Sequence, residues 1–90
     1  MLLKNKVAII TGAASPRGLG FATAKLFAEN GAKVVIIDLN EEASKSAAAM
    51  LGAEHIGLAA NVANEIQVQA AIEQVLAKYG RIDVLVNRLC

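Results

Sequence analysis

The sequence predicts an α/β chain in which a parallel sheet is wound with helices on both faces, and three observations carry that expectation. Val7-Ala8-Ile9-Ile10, Val34-Val35-Ile36-Ile37 and Val84-Leu85-Val86 are short runs, apolar throughout and rich in β-branched residues. Strands buried on both faces read this way, whereas a half-solvated strand alternates. Between the runs, apolar residues recur at helical spacing, and a glycine stands just past each such stretch. Runs and stretches alternate with short connections, without a linker, repeat or low-complexity segment. The order is therefore β-α-β-α-β-α-β, and right-handed crossovers make the sheet open and doubly wound.

The elements follow in order. The first strand, Val7 to Ile10, leads through a glycine-rich bend into a helix whose stripe is Leu19, Ala22, Thr23, Leu26 and Phe27, ended by Gly31. The second strand, Val34 to Ile37, runs into Asp38. The second helix carries Ala43, Ala47, Met50 and Leu51 and closes at Gly52, with Asn40 as its N-cap and Glu41-Glu42 in its positive first turn. The third strand, Ile56 to Ala59, is the weakest, because Gly57 interrupts it. Val68, Ala71, Ile72, Val75, Leu76 and Tyr79 form the clearest stripe, capped by Asn64 and stopped by Gly80. Gln67 stands three residues after Asn64, the spacing of a capping box.

Composition narrows the function classes. Ninety residues, 56% hydrophobic and 19% charged, suit one domain spanning 1–90 and exclude intrinsic disorder. No apolar run reaches the roughly 18–20 residues needed to cross a bilayer. Met1-Leu2-Leu3-Lys4-Asn5-Lys6 lacks the extended apolar region of a secretory signal, so a cytoplasmic location is expected. A net charge of +1 gives no electrostatic reason to bind nucleic acid or a membrane surface. One cysteine, Cys90, and one histidine, His55, allow neither an internal disulfide nor a recognisable metal cluster. Much of the apolar content is alanine, which buries little area per residue, so the core is lean.

The chemistry sits in the bend after the first strand, Thr11-Gly12-Ala13-Ala14-Ser15-Pro16-Arg17-Gly18-Leu19-Gly20. Gly12 lets the chain turn sharply, Gly18 lets backbone approach a diphosphate, and Gly20 lets the helix sit close to the sheet. The helix then directs its unpaired N–H groups at the anion. Asp38 lies eighteen residues beyond Gly20, at the end of the second strand, where a carboxylate accepts hydrogen bonds from an adenosine ribose. No Gly-Lys-Ser/Thr follows the loop, which excludes Walker-type nucleotide hydrolysis.

With these residues in place, the chain resembles the classical short-chain dehydrogenases/reductases. The resemblance runs from Thr11-Gly12 through Gly18-Leu19-Gly20 and Phe21-Ala22-Thr23-Ala24. It continues in Gly31-Ala32-Lys33-Val34-Val35, Asp38 and Asn61-Val62, and ends with Gly80-Arg81-Ile82-Asp83-Val84-Leu85-Val86-Asn87. It implies a partial Rossmann-type sheet with strand order 3-2-1-4, and a little over a third of the roughly 250 residues such a fold usually occupies. It also implies that Gly12, Ser15, Gly18, Leu19 and Gly20 surround the cofactor's adenosine and diphosphate. Asp38 would hold the ribose, Asn61 and Val62 would contact the adenine, and Asn87 would match the first asparagine of the family's Asn-Asn-Ala-Gly segment.

The departures are equally specific. Five residues rather than three separate Gly12 from Gly18, with Pro16-Arg17 as the apparent insertion, and Arg88-Leu89-Cys90 replaces Asn-Ala-Gly. The family's catalytic serine and Tyr-x-x-x-Lys pair are absent; Tyr79, the only tyrosine, is followed four residues on by Asp83 and reads as a packing residue. The expectation is a truncated, catalytically inactive portion of an NAD-dependent oxidoreductase. The alternative is an oligomerising fragment that binds no nucleotide. Asp38 favours NAD because it repels a 2′-phosphate, while Arg17, on the lengthened loop, is the one feature pointing to NADP. The fourth strand is expected at a sheet edge, where apolar composition and unpaired backbone would drive a homodimer or higher assembly through that strand or the adjoining helices.

Overall fold

The computed structural model describes residues 2–15 and 17–86. Strand β1 (Val7–Thr11) is followed by helix α1 (Leu19–Glu29), β2 (Lys33–Asp38), α2 (Glu41–Leu51), β3 (Ile56–Ala59), α3 (Glu65–Tyr79) and β4 (Val84–Val86). All pairings are parallel and the strand order is β3-β2-β1-β4, as the sequence predicts.

Period-two alternation on β1 and β2 builds a core on each face of the sheet. Ile10, Val34 and Ile36 point to one side, where they meet Phe21 and Ala24 of α1 and Ala47 and Ala48 of α2. Val7, Ile9, Val35 and Ile37 point to the other and meet Ala71 and Val75 of α3. Because both faces are covered, the two inner strands have no polar face, and their uninterrupted apolar runs follow directly.

The weak third strand has a packing reason. A Cβ added at Gly57 would fall on the carbonyl carbon and oxygen of Ser44. Helix α2 therefore rests its backbone on β3, and only glycine permits that approach. The residue that lowers strand propensity is the one that lets the layers close.

Two helix faces differ from the stripes read in sequence. In α1 the buried residues are Gly20, Phe21 and Ala24, whereas Leu19 and Leu26 are 70% and 57% exposed. In α2 Ser44, Ala47 and Ala48 are buried and Met50 is exposed. Close approach to the sheet selects small side chains for the contact and turns the larger apolar ones outward. The α3 stripe holds better: Ala71 and Val75 are buried, and Ile72 and Tyr79 pack against the same core.

The start of each strand is fixed by polar contacts. Val34 N–H donates to Nδ1 of His55 at 3.0 Å, so a side chain completes the ladder where β3 begins. Lys33 pairs with Glu54 at 3.0 Å, and the Tyr79 hydroxyl donates to the Glu54 carbonyl at 2.7 Å. Asp83 accepts Val7 N–H at 2.8 Å and Arg81 at 2.7 Å, while its own N–H donates to the Val7 carbonyl. Among the described residues, no helix is long and apolar enough to cross a membrane.

Candidate dinucleotide-binding site

The C-terminal ends of β1, β2 and β3 open on one edge of the sheet, and every described site residue expected from sequence lies at these ends or on the segments leaving them. At Gly12 the chain leaves β1 with φ 69°, in the left-handed region where glycine is favoured. Its N–H donates to the Ile37 carbonyl at 3.0 Å, fastening the bend to the end of β2. Thr11 pairs in register with Ile37, so Gly12 and Asp38 follow a matched pair on adjacent strands.

The other two glycines of the bend differ in what surrounds them. A Cβ on Gly20 would stand 2.8 Å from the Gly12 carbonyl oxygen and 3.1 Å from Ala13 Cα. The first turn of α1 is therefore pressed against the bend, with Ala13 and Ala14 buried beneath it. Gly18 is the N-cap of α1, in extended backbone at φ −85°, ψ 162°, and its N–H donates to the Ser15 carbonyl at 3.0 Å. Among the described residues, the nearest atoms to a Cβ there belong to Ser15, at 3.5 Å or more. Neither space nor backbone conformation demands glycine at this position. Ser15, Arg17 and Leu19 are exposed around it, and the first turn of α1 contains no acidic residue to compete with an anion.

Asp38 closes β2, half-buried, with Oδ1 accepting Leu39 N–H at 2.7 Å. Its main-chain carbonyl accepts Ala60 N–H at 2.9 Å, which starts the segment after β3 directly beside it. In that segment Asn61, which the resemblance places against the adenine, has its Oδ1 accepting Ala63 N–H at 2.9 Å. Val62 is 38% exposed and, with Ile9, Thr11, Ile37, Val68 and Leu85, walls an apolar cavity of about 130 Å³. Asn87 and Pro16 lie outside the described residues.

The shifted titrations lie at the opposite edge, where the strands begin. Burial pushes the His55 imidazole below its ordinary value and the Tyr79 phenol above its own. The Lys33 ammonium holds the Glu54 carboxyl low, and the hydrogen bond from Arg81 does the same for Asp83. Tyr79 and His55 are thus remote from the bend, and the phenol shift is opposite to that of a proton-donating tyrosine.

Gln67 escaped the sequence reading in its actual role. Its Oε1 accepts Asn61 N–H at 2.8 Å rather than Asn64 N–H, because the latter donates to the Asn61 carbonyl at 2.8 Å. The capping-box spacing was the available signal. Asn40 and Asn64 do cap their helices, accepting Ala43 N–H and Gln67 N–H.

Comparisons with known proteins agree with this geometry. A family model described as enoyl-(acyl carrier protein) reductase matches residues 12–90. An uncharacterised short-chain type dehydrogenase/reductase of Sinorhizobium fredii is 48% identical, over 97% of this chain and 36% of its own length. D-threitol dehydrogenase of Mycolicibacterium smegmatis is 48% identical over 94% of this chain and 33% of its own. The crystal structure of 3-ketoacyl-(acyl-carrier-protein) reductase from Brucella melitensis, complexed with NADH, superposes with a TM-score of 0.86 at 43% identity, over 92% of this chain and 33% of that one. The chain thus spans about a third of the length of the curated relatives it matches. With a family model over residues 12–90, relatives at 48% identity and a matching solved fold, the chain belongs to the short-chain dehydrogenase/reductase family.

Proposed function

We propose that this chain is the NAD(H)-binding portion of a short-chain dehydrogenase/reductase-type oxidoreductase and does not complete hydride transfer by itself. The observation that carries the reading is Gly18. Among the described residues neither a close contact nor the backbone conformation calls for a glycine there, and a group that comes close from outside accounts for it. A diphosphate at the positive end of α1 is that group. Gly12, Ser15, Leu19 and Gly20 then form its surroundings, and Asp38 accepts hydrogen bonds from the ribose hydroxyls. Asn61 and Val62 flank the adenine, and Asn87, outside the described residues, is assigned to the cofactor by the family resemblance alone.

A dinucleotide, when bound, supplies or accepts the hydride. Delivery of the accompanying proton needs a positioned acid, and the one tyrosine of this chain is committed to the Glu54 carbonyl. NAD is favoured over NADP because the Asp38 carboxylate would face a 2′-phosphate, whereas Arg17 is exposed on the loop. The NADH bound to the Brucella protein supports a nicotinamide dinucleotide in general. We further propose self-association through β4, an edge strand whose Leu85 is 60% exposed.

Fluorescence titration with NADH tests the reading. Saturable binding is expected, weakened roughly 10- to 100-fold by Asp38→Ala, the range of a lost hydrogen bond to a charged group. No saturable binding by the wild-type chain, or unchanged affinity in the variant, would refute it.

A further inference from the structure

We infer that Gln67 is a positioning residue for recognition of the purine base, an assignment that rests on the dinucleotide reading above. The segment 60–64 leaves β3 beside Asp38, tied to it through Ala60 N–H. A base attached to a ribose held at Asp38 falls within reach of this segment, and Val62 walls the apolar cavity next to it. Beyond Ala60 strand pairing no longer fixes the segment, since β3 ends at Ala59.

The start of α3 and its N-cap do so instead. Gln67 Oε1 holds Asn61 N–H at 2.8 Å, and Asn64 N–H holds the Asn61 carbonyl at 2.8 Å. Asn61 Oδ1 holds Ala63 N–H at 2.9 Å, and Asn64 Oδ1 in turn accepts Gln67 N–H at 3.1 Å. The donor and acceptor of the Asn61 main chain are thus both anchored to the start of α3, and Gln67 supplies the one anchor that comes from a side chain of the helix itself. With Oδ1 partly used, the Asn61 carboxamide retains its Nδ2 donor and a second lone pair. That pair of groups is complementary to an adenine edge, which offers a ring-nitrogen acceptor beside a 6-amino donor. A hypoxanthine base carries an oxo group in place of the amino group and a ring N–H in place of the acceptor, so a carboxamide whose orientation is held by Ala63 N–H on Oδ1 is mismatched to it.

The test compares Kd for NADH with Kd for reduced nicotinamide hypoxanthine dinucleotide, which differs only in the base. Wild type, Gln67→Ala and Gln67→Glu are measured, the last because a carboxylate still accepts Asn61 N–H. Wild type is expected to prefer NADH by roughly tenfold. Gln67→Ala is expected to bring the ratio within about twofold of unity, and Gln67→Glu to restore it. A ratio retained in Gln67→Ala, or both ligands weakened equally, makes Gln67 merely structural and overturns the assignment. Wild type that binds NADH without discriminating also overturns it while leaving the cofactor reading intact. Wild type that binds neither ligand overturns both.

Discussion

Two substitutions of one methyl each separate what the protein requires of the bend from what a ligand requires. In Gly20→Ala the new Cβ stands 2.8 Å from the Gly12 carbonyl oxygen, against about 3.4 Å for ordinary contact, so α1 must retreat by about half an ångström. Overpacking against backbone costs about 1–3 kcal/mol, and the gain in helix propensity returns at most about 1 kcal/mol. The net loss of about 1–2 kcal/mol lowers Tm by about 5–15 °C in a domain of this size. In Gly18→Ala the Cβ meets Ser15 at 3.5 Å and the backbone is extended, so no strain arises. The weaker N-cap costs about 0.5–1 kcal/mol, and the less flexible unfolded chain returns about the same. Stability should therefore hold within about 0.5 kcal/mol, while NADH affinity falls at least about tenfold because the methyl occupies the approach to the diphosphate. Thermal melts by circular dichroism and NADH titrations on both variants read the two effects. If Gly18→Ala melts as low as Gly20→Ala, or binds NADH like wild type, the separation of roles is wrong.

Two further outcomes follow from the same structure. His55 accepts Val34 N–H through Nδ1, and its pKa is depressed first by burial, so its contribution to stability is complete above the unfolded value of 6.5 and is lost as pH falls through the folded value. Between pH 7.5 and 5.0 the wild-type Tm should drop relative to His55→Asn, whose Oδ1 keeps an acceptor without titrating, by up to the about 1 kcal/mol of one hydrogen bond; parallel profiles would sink the idea. For self-association, light scattering at micromolar concentration should give at least twice the monomer mass for wild type and the monomer mass for Leu85→Lys, and a monodisperse wild-type monomer would count against β4 as an interface.

The strands were legible in the sequence because burial on both faces leaves a local record. Each residue of β1 is buried, and so is each of the four apolar residues between Lys33 and Asp38, so no neighbour is needed to interpret the run. Helix faces were less legible because their buried side is set by how closely the helix approaches the sheet. Where approach is close, as at Gly20 and Ala24 or at Ser44 and Ala48, the contact residues are small, and a stripe of large apolar residues points elsewhere. Leu19 and Leu26 satisfied the helical period and still face outward. Periodicity locates a helix; side-chain size at the contact decides its rotation.

The site divides in the same way. Spacing along the chain picked out Gly12, Gly18, Gly20 and Asp38 as candidates, since strand, bend, helix and strand follow one another without insertion of another element. The motif also suggested which glycine serves the fold, Gly20, but spacing alone does not demonstrate it. The demonstration needs the neighbouring backbone: a Cβ on Gly20 would stand 2.8 Å from the Gly12 carbonyl oxygen, whereas the nearest described atom to one on Gly18 is the Ser15 carbonyl oxygen at 3.5 Å. Gln67 shows the same limit from the other side. Its spacing from Asn64 predicted a reciprocal cap, and Asn64 does accept Gln67 N–H. The return bond goes three residues further back because a turn between Asn61 and Asn64 had already satisfied the expected donor. A hydrogen-bonding side chain is drawn to the donor left open, and the turn that decides which donor that is belongs to the segment before the helix rather than to the helix itself. The helix cap and the segment beside Asp38 are therefore one hydrogen-bonded unit, which is why a substitution on α3 is expected to be felt at the base.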